Sequence, residues 1–464
     1  MGLQTFARRA SALLILISLA SCTTKDVRPD HLVLVVFDTL RADRMSLYGH
    51  DRPTTPFLDG LAGELIRFSR FKAIAPWTLP THATIFTGTP PAEHRSQWGT
   101  MRLAEESETL AERLTEQGFC TTGFSANPLV KPGNGLAQGF QQWEQVGGPW
   151  PARTTEILSR VPQVLREADE KGCRLFLFLN LMDTHIPYNT ETYGAEFGAS
   201  GPGPIKNAAI KWAVNGGARS LSSGEWMRHH NAYDAAVRAA DAAAETLVQL
   251  LLMTGKLDRT LLVLTSDHGE GLGAHPEVGH SISVWEEQLA VPLAIRFPGG
   301  RGGDREVGGL RSQIELAPSI LDWLEVDRSA GIQAASNLLE ESPRSVFADY
   351  RSYFSEGNRK TNVKVTSNYP RLAERIQHQH VVYCDDLKLI AGADGAKTAF
   401  DLVADPSEQD DLVLDGSDPR LRPCVATYQQ LGRSGFLTPF DAEDVDSEDV
   451  EPDLDALRSL GYVQ

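Results

Sequence analysis

Apolar and polar positions along this chain fall into blocks, and three of the blocks are apolar runs. They are Leu32-Val33-Leu34-Val35-Val36-Phe37, then Leu175 to Met182, then Leu261-Leu262-Val263-Leu264-Thr265-Ser266. Short runs without period-two alternation, rich in valine and leucine, read as strands of a parallel sheet buried on both faces. Phe119–Phe124 and Val291–Phe297 read as further strands, the latter closed by Pro298-Gly299-Gly300. Between the strands, Phe57–Leu65, Leu110–Gly118, Tyr233–Leu252 and Ile314–Leu324 carry helical spacing of their apolar residues. The pattern predicts an α/β fold over residues 31–325, with a large, mostly parallel central sheet flanked by helices. From about Val326 the chain is more polar, with short strand-like pieces at Val381-Val382-Tyr383 and Leu387-Lys388-Leu389-Ile390. That change predicts a smaller C-terminal α+β domain over 326–464, ending in a solvated acidic tail around Asp441–Asp455. Asn189 to about Ser223, rich in Gly, Ala and Pro, reads as a long loop or insertion.

The three runs end on Asp38, Asp183 and Asp267, the last followed at once by His268. In a parallel sheet these ends share one edge, which is where open α/β sheets bind ligands. Asp38 taken alone reads equally as the N-cap of a following helix. Three carboxylates gathered at one edge repel one another unless a cation neutralises them. Oxygen ligands with one imidazole suit Mn²⁺, Zn²⁺, Mg²⁺ or Ca²⁺, and the imidazole favours the transition metals. Thr78 stands at the start of a helix whose first turn contains Pro80 and whose stop is Gly88. Helix N-termini favour negative charge, and a metal lowers the pKa of a hydroxyl. Transfer of a phosphoryl or sulfuryl group needs this combination, because charge develops on its oxygens.

The chain has 464 residues and a formal net charge of −17, which excludes nucleic acid and anionic lipid as its main partners. Its N-terminus has a positive Arg8-Arg9 region, an apolar Ala12–Ala20 stretch too short to span a bilayer, and Leu19-Ala20-Ser21-Cys22. That last tetrapeptide resembles the lipobox of bacterial lipoproteins. The expectation is a signal peptide over 1–22, lipidation at Cys22, and a polar tether over 23–30. The protein would then be exported and anchored to the cell-envelope membrane, facing the periplasm or the exterior. The remaining cysteines, Cys120, Cys173, Cys384 and Cys424, form no C-x-x-C pair, and no disulfide pairing follows from their positions. P-loop, dinucleotide-fold, G-x-S-x-G and H-E-x-x-H patterns are absent.

A family resemblance rests on motifs in order along the chain: Val36-Phe37-Asp38-Thr39-Leu40-Arg41-Ala42-Asp43, Thr54-Thr55-Pro56, and Thr78-Leu79-Pro80-Thr81-His82 with Thr87-Gly88. Met182-Asp183-Thr184-His185-Ile186-Pro187-Tyr188, Ser266-Asp267-His268-Gly269-Glu270, Gly279-His280 and Leu457–Tyr462 continue it. Together they resemble the sulfatase family of the alkaline phosphatase superfamily. The resemblance implies one divalent ion (Ca²⁺, Mn²⁺ or Zn²⁺) on Asp38, Asp267 and His268, with the nucleophile Thr78 as a further ligand. It implies His185 and His280 near the substrate oxygens or leaving group, and His82 and Asn127 as substrate-binding residues. Asn127 reads equally as a turn cap, Asp183 as the group orienting His185, and Arg41 with Asp43 as a structural ion pair.

The departures from that family's pattern are specific. The nucleophile slot, which holds a cysteine or serine converted to formylglycine, holds Thr78, and His82 stands where an arginine belongs. Thr39 replaces a second aspartate, His268 replaces an asparagine ligand, and Ser125-Ala126-Asn127 stands where a lysine is expected. Threonine cannot yield formylglycine, so the pattern is closer to threonine-nucleophile relatives acting on phosphoesters. The leading expectation is a metal-dependent hydrolase of sulfate or phosphate esters. The alternatives are a transferase moving a phospho-head-group onto an envelope lipid or glycan, and an inactive lipoprotein of this fold serving as a binding module.

Overall fold

A computed structural model describes residues 28–147, 154–332, 336–340, 345–351, 372, 377–412 and 418–439. The expected signal peptide, Cys22, most of the tether, the acidic tail and the C-terminal Leu457–Tyr462 motif lie outside these residues. Among the described residues, no helix is long and apolar enough to cross a membrane.

The apolar runs form the middle of an eight-stranded sheet. Its strands are β1 (His31–Phe37), β2 (Ile66–Phe68), β3 (Phe119–Ser125), β4 (Gln142–Gln145), β5 (Arg174–Leu181), β6 (Thr260–Thr265), β7 (Leu293–Arg296) and β8 (Arg305–Val307). They lie in the order β8-β2-β7-β6-β1-β5-β3-β4. Only β7 runs against the rest, pairing antiparallel with both β2 and β6. β1 is central because every one of its residues is buried, so it needs a covered neighbour on each side and a helix layer on each face. Register then sets the chemistry. Phe37 lies beside Leu181 of β5, and Val36 beside Thr265 of β6. Counting on, Asp267 comes level with Asp38, and Asp183 falls one residue further out.

Seven helices matter to the argument: α1 (Thr78–Thr87), α2 (Leu110–Glu116), α3 (Val161–Lys171), α4 (Ala208–Asn215), α5 (Ser223–Met253), α6 (Leu316–Trp323) and α7 (Arg422–Arg433). The α5 helix starts ten residues before the expected Tyr233. Ser222 and Glu225 close a capping box there, satisfying N–H groups that the apolar spacing does not report. The segment expected as a loop or insertion contains α4, whose start is capped by the Asn207 side chain accepting from Ile210 N at 3.0 Å. Cys120, on β3, and Cys173, just before β5, form a disulfide across neighbouring strands.

A second sheet holds β9 (Ser345–Tyr350), β10 (Gln379–Cys384), β11 (Leu387–Gly392) and β12 (Lys397–Asp401) in sequential antiparallel order. Its core is continuous with that of the large sheet. Buried Lys388 of β11 reaches across to the carbonyl of Val284 at 2.7 Å and to Glu286 at 3.2 Å.

Candidate active site and metal centre

The carboxyl ends of β1, β5 and β6 are locked together by hydrogen bonds. Thr184 Oγ1 donates to the Asp38 carbonyl at 2.5 Å, and Thr39 Oγ1 donates to the Thr184 carbonyl at 2.6 Å. Leu40 N donates to Ser266 Oγ at 2.9 Å, and Gln313 Nε2 donates to the Asp267 carbonyl at 2.6 Å. Thr39 sits at φ 61°, a left-handed conformation that costs a β-branched residue about 1–2 kcal/mol. That turn aims its N–H at Asp267 Oδ1, 3.1 Å away. Thr39, expected as a lost metal ligand, therefore acts through its backbone as a fixed donor to a remaining one.

Asp38, Asp267 and His268 are fully buried, and one potential ligand atom from each lies within 4.8 Å of the others. Asp38 Oδ2 accepts from Asn127 Nδ2 at 2.7 Å and from Asn180 Nδ2 at 3.2 Å. Asp267 Oδ1 accepts from the Thr39 and His268 amides. The other oxygen of each carboxylate, Asp38 Oδ1 and Asp267 Oδ2, has no hydrogen-bond partner among the described residues. His268 directs Nδ1 at the Gly269 carbonyl, 2.9 Å away, so the neutral ring carries its lone pair at Nε2. Burial pushes Asp38 up to about 7, with the Asp267 charge adding to it, and pushes Asp267 up to about 7 as well. Burial lowers His268 to about 4. Two orphaned carboxylate oxygens and an imidazole lone pair in one buried pocket fit a divalent cation, which is the group whose charge this donor set lacks.

Thr78 is the first residue of α1, following extended Trp77, and it lies in the same pocket. Its Oγ1 is 3.4 Å from His268 Nε2 and accepts from Asn127 Nδ2 at 3.3 Å. Gly88, at φ 67°, ends the helix in the left-handed conformation that favours glycine. One turn beyond Thr78, His82 is buried with Nδ1 2.9 Å from the Thr78 carbonyl. Its ring stands edge-on to Phe178, with centroids 6.1 Å apart, and burial lowers its pKa to about 3. The structure thus places His82 beneath the nucleophile position and against the apolar sheet.

His185 and His280 form the opposite wall, with ring centroids 4.9 Å apart; the His280 ring is 4.6 Å from that of His268. His185 Nδ1 faces the Ile186 carbonyl at 2.7 Å, and His280 Nδ1 faces Glu270 Oε1 at 3.1 Å. Burial lowers both rings, His185 to about 3 and His280 well below its ordinary value. Asp183 does not join them. Its carboxylate accepts from Thr154 Oγ1 and, at 2.6 Å, from Asn189 Nδ2, so it neither meets the other two aspartates nor orients His185. One extra residue of register carries it past the pocket. Arg41 is structural, with Nε and Nη2 on Asp43 and Nη1 on Glu287.

Three further residues of the site escaped the sequence reading. Asn180 stands second to last in β5, and its Oδ1 accepts from Asn127 N at 3.1 Å and Ser125 Oγ at 3.2 Å. A single amide inside an otherwise apolar buried run is the signal that would have found it. Glu270 is fully buried beside His280, and its Oε2 has no hydrogen-bond partner among the described residues. Lys211 comes from α4, where no motif marks it. Burial lowers it to about 8, opposed by the Glu270 charge.

Fold and site together define a hydrolase of sulfuric or phosphoric esters built on a mixed α/β sheet, with a buried cluster of two carboxyl groups and one imidazole beside a helix N-terminus. The chain belongs to the sulfatase family, whose model matches residues 30–326. It is 22% identical over 454 residues to the ulvan-active sulfatase of Formosa agariphila, covering 89% of this chain and 84% of that one. It is 28% identical over 431 residues to arylsulfatase K of Xenopus laevis, covering 82% and 78%. The phosphonate monoester hydrolase of Agrobacterium radiobacter shares the fold with a TM-score of 0.68 at 20% identity, covering 88% of this chain and 96% of that one. A protein solved with D-glucosamine-2-N,6-O-disulfate superposes with a TM-score of 0.69 at 18% identity, covering 91% and 100%.

Proposed function

We propose that this protein hydrolyses sulfate or phosphate esters with Thr78 as an unmodified nucleophile and one divalent cation held by Asp38, Asp267 and His268. The observation that carries the reading is the pair of orphaned carboxylate oxygens, Asp38 Oδ1 and Asp267 Oδ2, beside the hydroxyl at the start of α1. The cation would supply charge neutralisation for the oxygens of the sulfuryl or phosphoryl group and a lower pKa for the Thr78 hydroxyl.

The protein's own groups account for the remaining steps. Asn127 donates to Thr78 Oγ1 and to Asp38 Oδ2, fixing nucleophile and carboxylate relative to each other. The N-terminal amides of α1 favour negative charge at the reacting group. Oγ1 attacks sulfur or phosphorus, the ester oxygen leaves, and water later releases the group from Thr78. The proton lost by Thr78 equals the one gained by the departing alkoxide. His185 and His280 are placed to relay it, because each commits Nδ1 to an acceptor and rests as a neutral ring with its lone pair at Nε2, and the negative charge of a bound ester would offset the burial that lowers both rings. His82 positions Thr78 through the helix carbonyl rather than through the substrate.

The test is turnover of aryl sulfate, phosphate monoester, phosphate diester and phosphonate ester substrates by the purified protein with Mn²⁺, Zn²⁺ or Ca²⁺. Thr78→Ala should lower kcat by about 10³-fold or more on any substrate accepted. Full activity in that variant sinks the nucleophile assignment, and turnover that survives complete chelation sinks the metal assignment. Product formed only when an envelope lipid or glycan acceptor is added moves the reading to a transferase, a class the unmodified threonine also suits. Export and anchoring at Cys22 remain part of the proposal. The Leu19-Ala20-Ser21-Cys22 sequence supports them, as does a disulfide of the kind that persists in oxidising compartments. Mass spectrometry of the mature N-terminus reads the lipid directly.

A further inference from the structure

The segment between β5 and α5 carries α4, and α4 is clasped to the strand Val278–Gly279 that precedes His280. Asn215 makes the clasp with both ends of its amide: Nδ2 donates to the Val278 carbonyl at 2.9 Å, and Oδ1 accepts from Val278 N at 2.8 Å. One turn earlier, the stem of Lys211 crosses the bare face of Gly279. A Cβ there would stand 2.6 Å from Lys211 Cε and 3.2 Å from Nζ, and Gly279 has φ +82°. Glycine at 279 is therefore what lets this lysine through. The residue is only 3% exposed, and burying an ammonium is expensive unless opposite charge meets it. The ammonium thus lies against Gly279, the residue before His280, whose ring stands 4.9 Å from that of His185 and 4.6 Å from that of His268.

We propose that Lys211 is a substrate-contacting residue of this pocket: α4 delivers its ammonium to the His185–His280 wall, where it binds an anionic oxygen of the sulfuryl or phosphoryl group. This rests on the reading of the pocket as an ester-hydrolase site. It adds that the inserted segment 189–222 is part of the active site, and that its helix supplies the cationic side chain. The competing role is purely local, with Lys211 serving only to neutralise buried Glu270.

The experiment measures binding of inorganic sulfate and inorganic phosphate to the Mn²⁺-loaded full chain by titration calorimetry, so that no turnover is needed. Lys211→Met should weaken both anions by about 10- to 100-fold, the range for a hydrogen bond to a charged group. Lys211→Arg, which keeps the charge, should recover most of the affinity. The double variant Lys211→Met/Glu270→Gln removes both charges, so it carries the test even where Lys211→Met alone does not fold. Weak anion binding in the folded double variant supports contact with the substrate, whereas wild-type affinity there assigns Lys211 to Glu270 alone and overturns the proposal. A wild-type protein that binds neither anion overturns it as well. Retained activity of Thr78→Ala, by contrast, removes the nucleophile and leaves the Lys211 result standing.

Discussion

Replacing Asp38 by asparagine separates the charge balance of the pocket from its shape, and the stabilisation expected without metal should be largely cancelled when metal is bound. In the metal-free protein, burial and the neighbouring Asp267 raise the Asp38 carboxyl from 3.8 to about 7. At 1.36 kcal/mol per unit, that is about 4 kcal/mol of folding free energy. The folded state holds this proton more tightly than the unfolded chain does. Its contribution is therefore complete below pH 3.8 and is lost as the pH rises through 7. Asp267 shifts in the same direction. With chelator present, stability should fall between pH 5 and pH 8, and Asp38→Asn should be the more stable protein at pH 8 by about 2–4 kcal/mol. The amide still offers an oxygen to Asn127, so the packing survives. With Mn²⁺ or Zn²⁺ at 100 times its Kd, the wild type should gain about 2.7 kcal/mol, the gain increasing with pH as the carboxyls ionise, and Asp38→Asn should gain almost nothing. Urea unfolding followed by tryptophan fluorescence at pH 5 and pH 8, with chelator and with metal, gives all four comparisons. Equal wild-type stability at both pH values in chelator, together with a less stable Asp38→Asn at pH 8, would refute the reasoning.

Three other outcomes follow from the same structure. Asn180→Ala removes a donor to Asp38 and the acceptor for Asn127 N and Ser125 Oγ. It should cost about 1–3 kcal/mol in urea unfolding and weaken metal binding about 10- to 100-fold by calorimetry. Burial pushes Glu287 up, but His275 and Arg41 more than offset it and hold the carboxyl at about 2. A depressed acid stabilises the fold above its unfolded value of 4.5 and loses that stabilisation as the pH falls toward 2. The gap of about 3 kcal/mol between wild type and Glu287→Gln at pH 7 should therefore shrink below pH 4.5, as read from melting temperatures. Cys173→Ser opens a disulfide spanning 53 residues, worth about 4 kcal/mol in the chain-entropy account, and its melting temperature should match that of the reduced wild type.

Patterning alone determined a great deal here. Short valine- and leucine-rich runs with no polar alternation read as strands covered on both faces, so the parallel sheet and the aspartates at its edge were legible in the chain, whereas the place of β1 between β5 and β6 came from the structure. Local chemistry also fixed the start of α1 near Thr78 and its stop at Gly88. Tertiary structure decided what depends on register and on distant segments. A one-residue offset between β1 and β5 turned Asp183 away to Thr154 and Asn189, and brought Asn180 to Asp38 in its place. The pairing of Cys120 with Cys173 needed β3 beside β5. Lys211 comes beside Gly279, the residue before His280, only because α4 folds back onto that strand, a contact between residues far apart in sequence that no local spacing encodes. Periodicity reports which face of an element is buried, whereas the identity of the group it meets is set by packing.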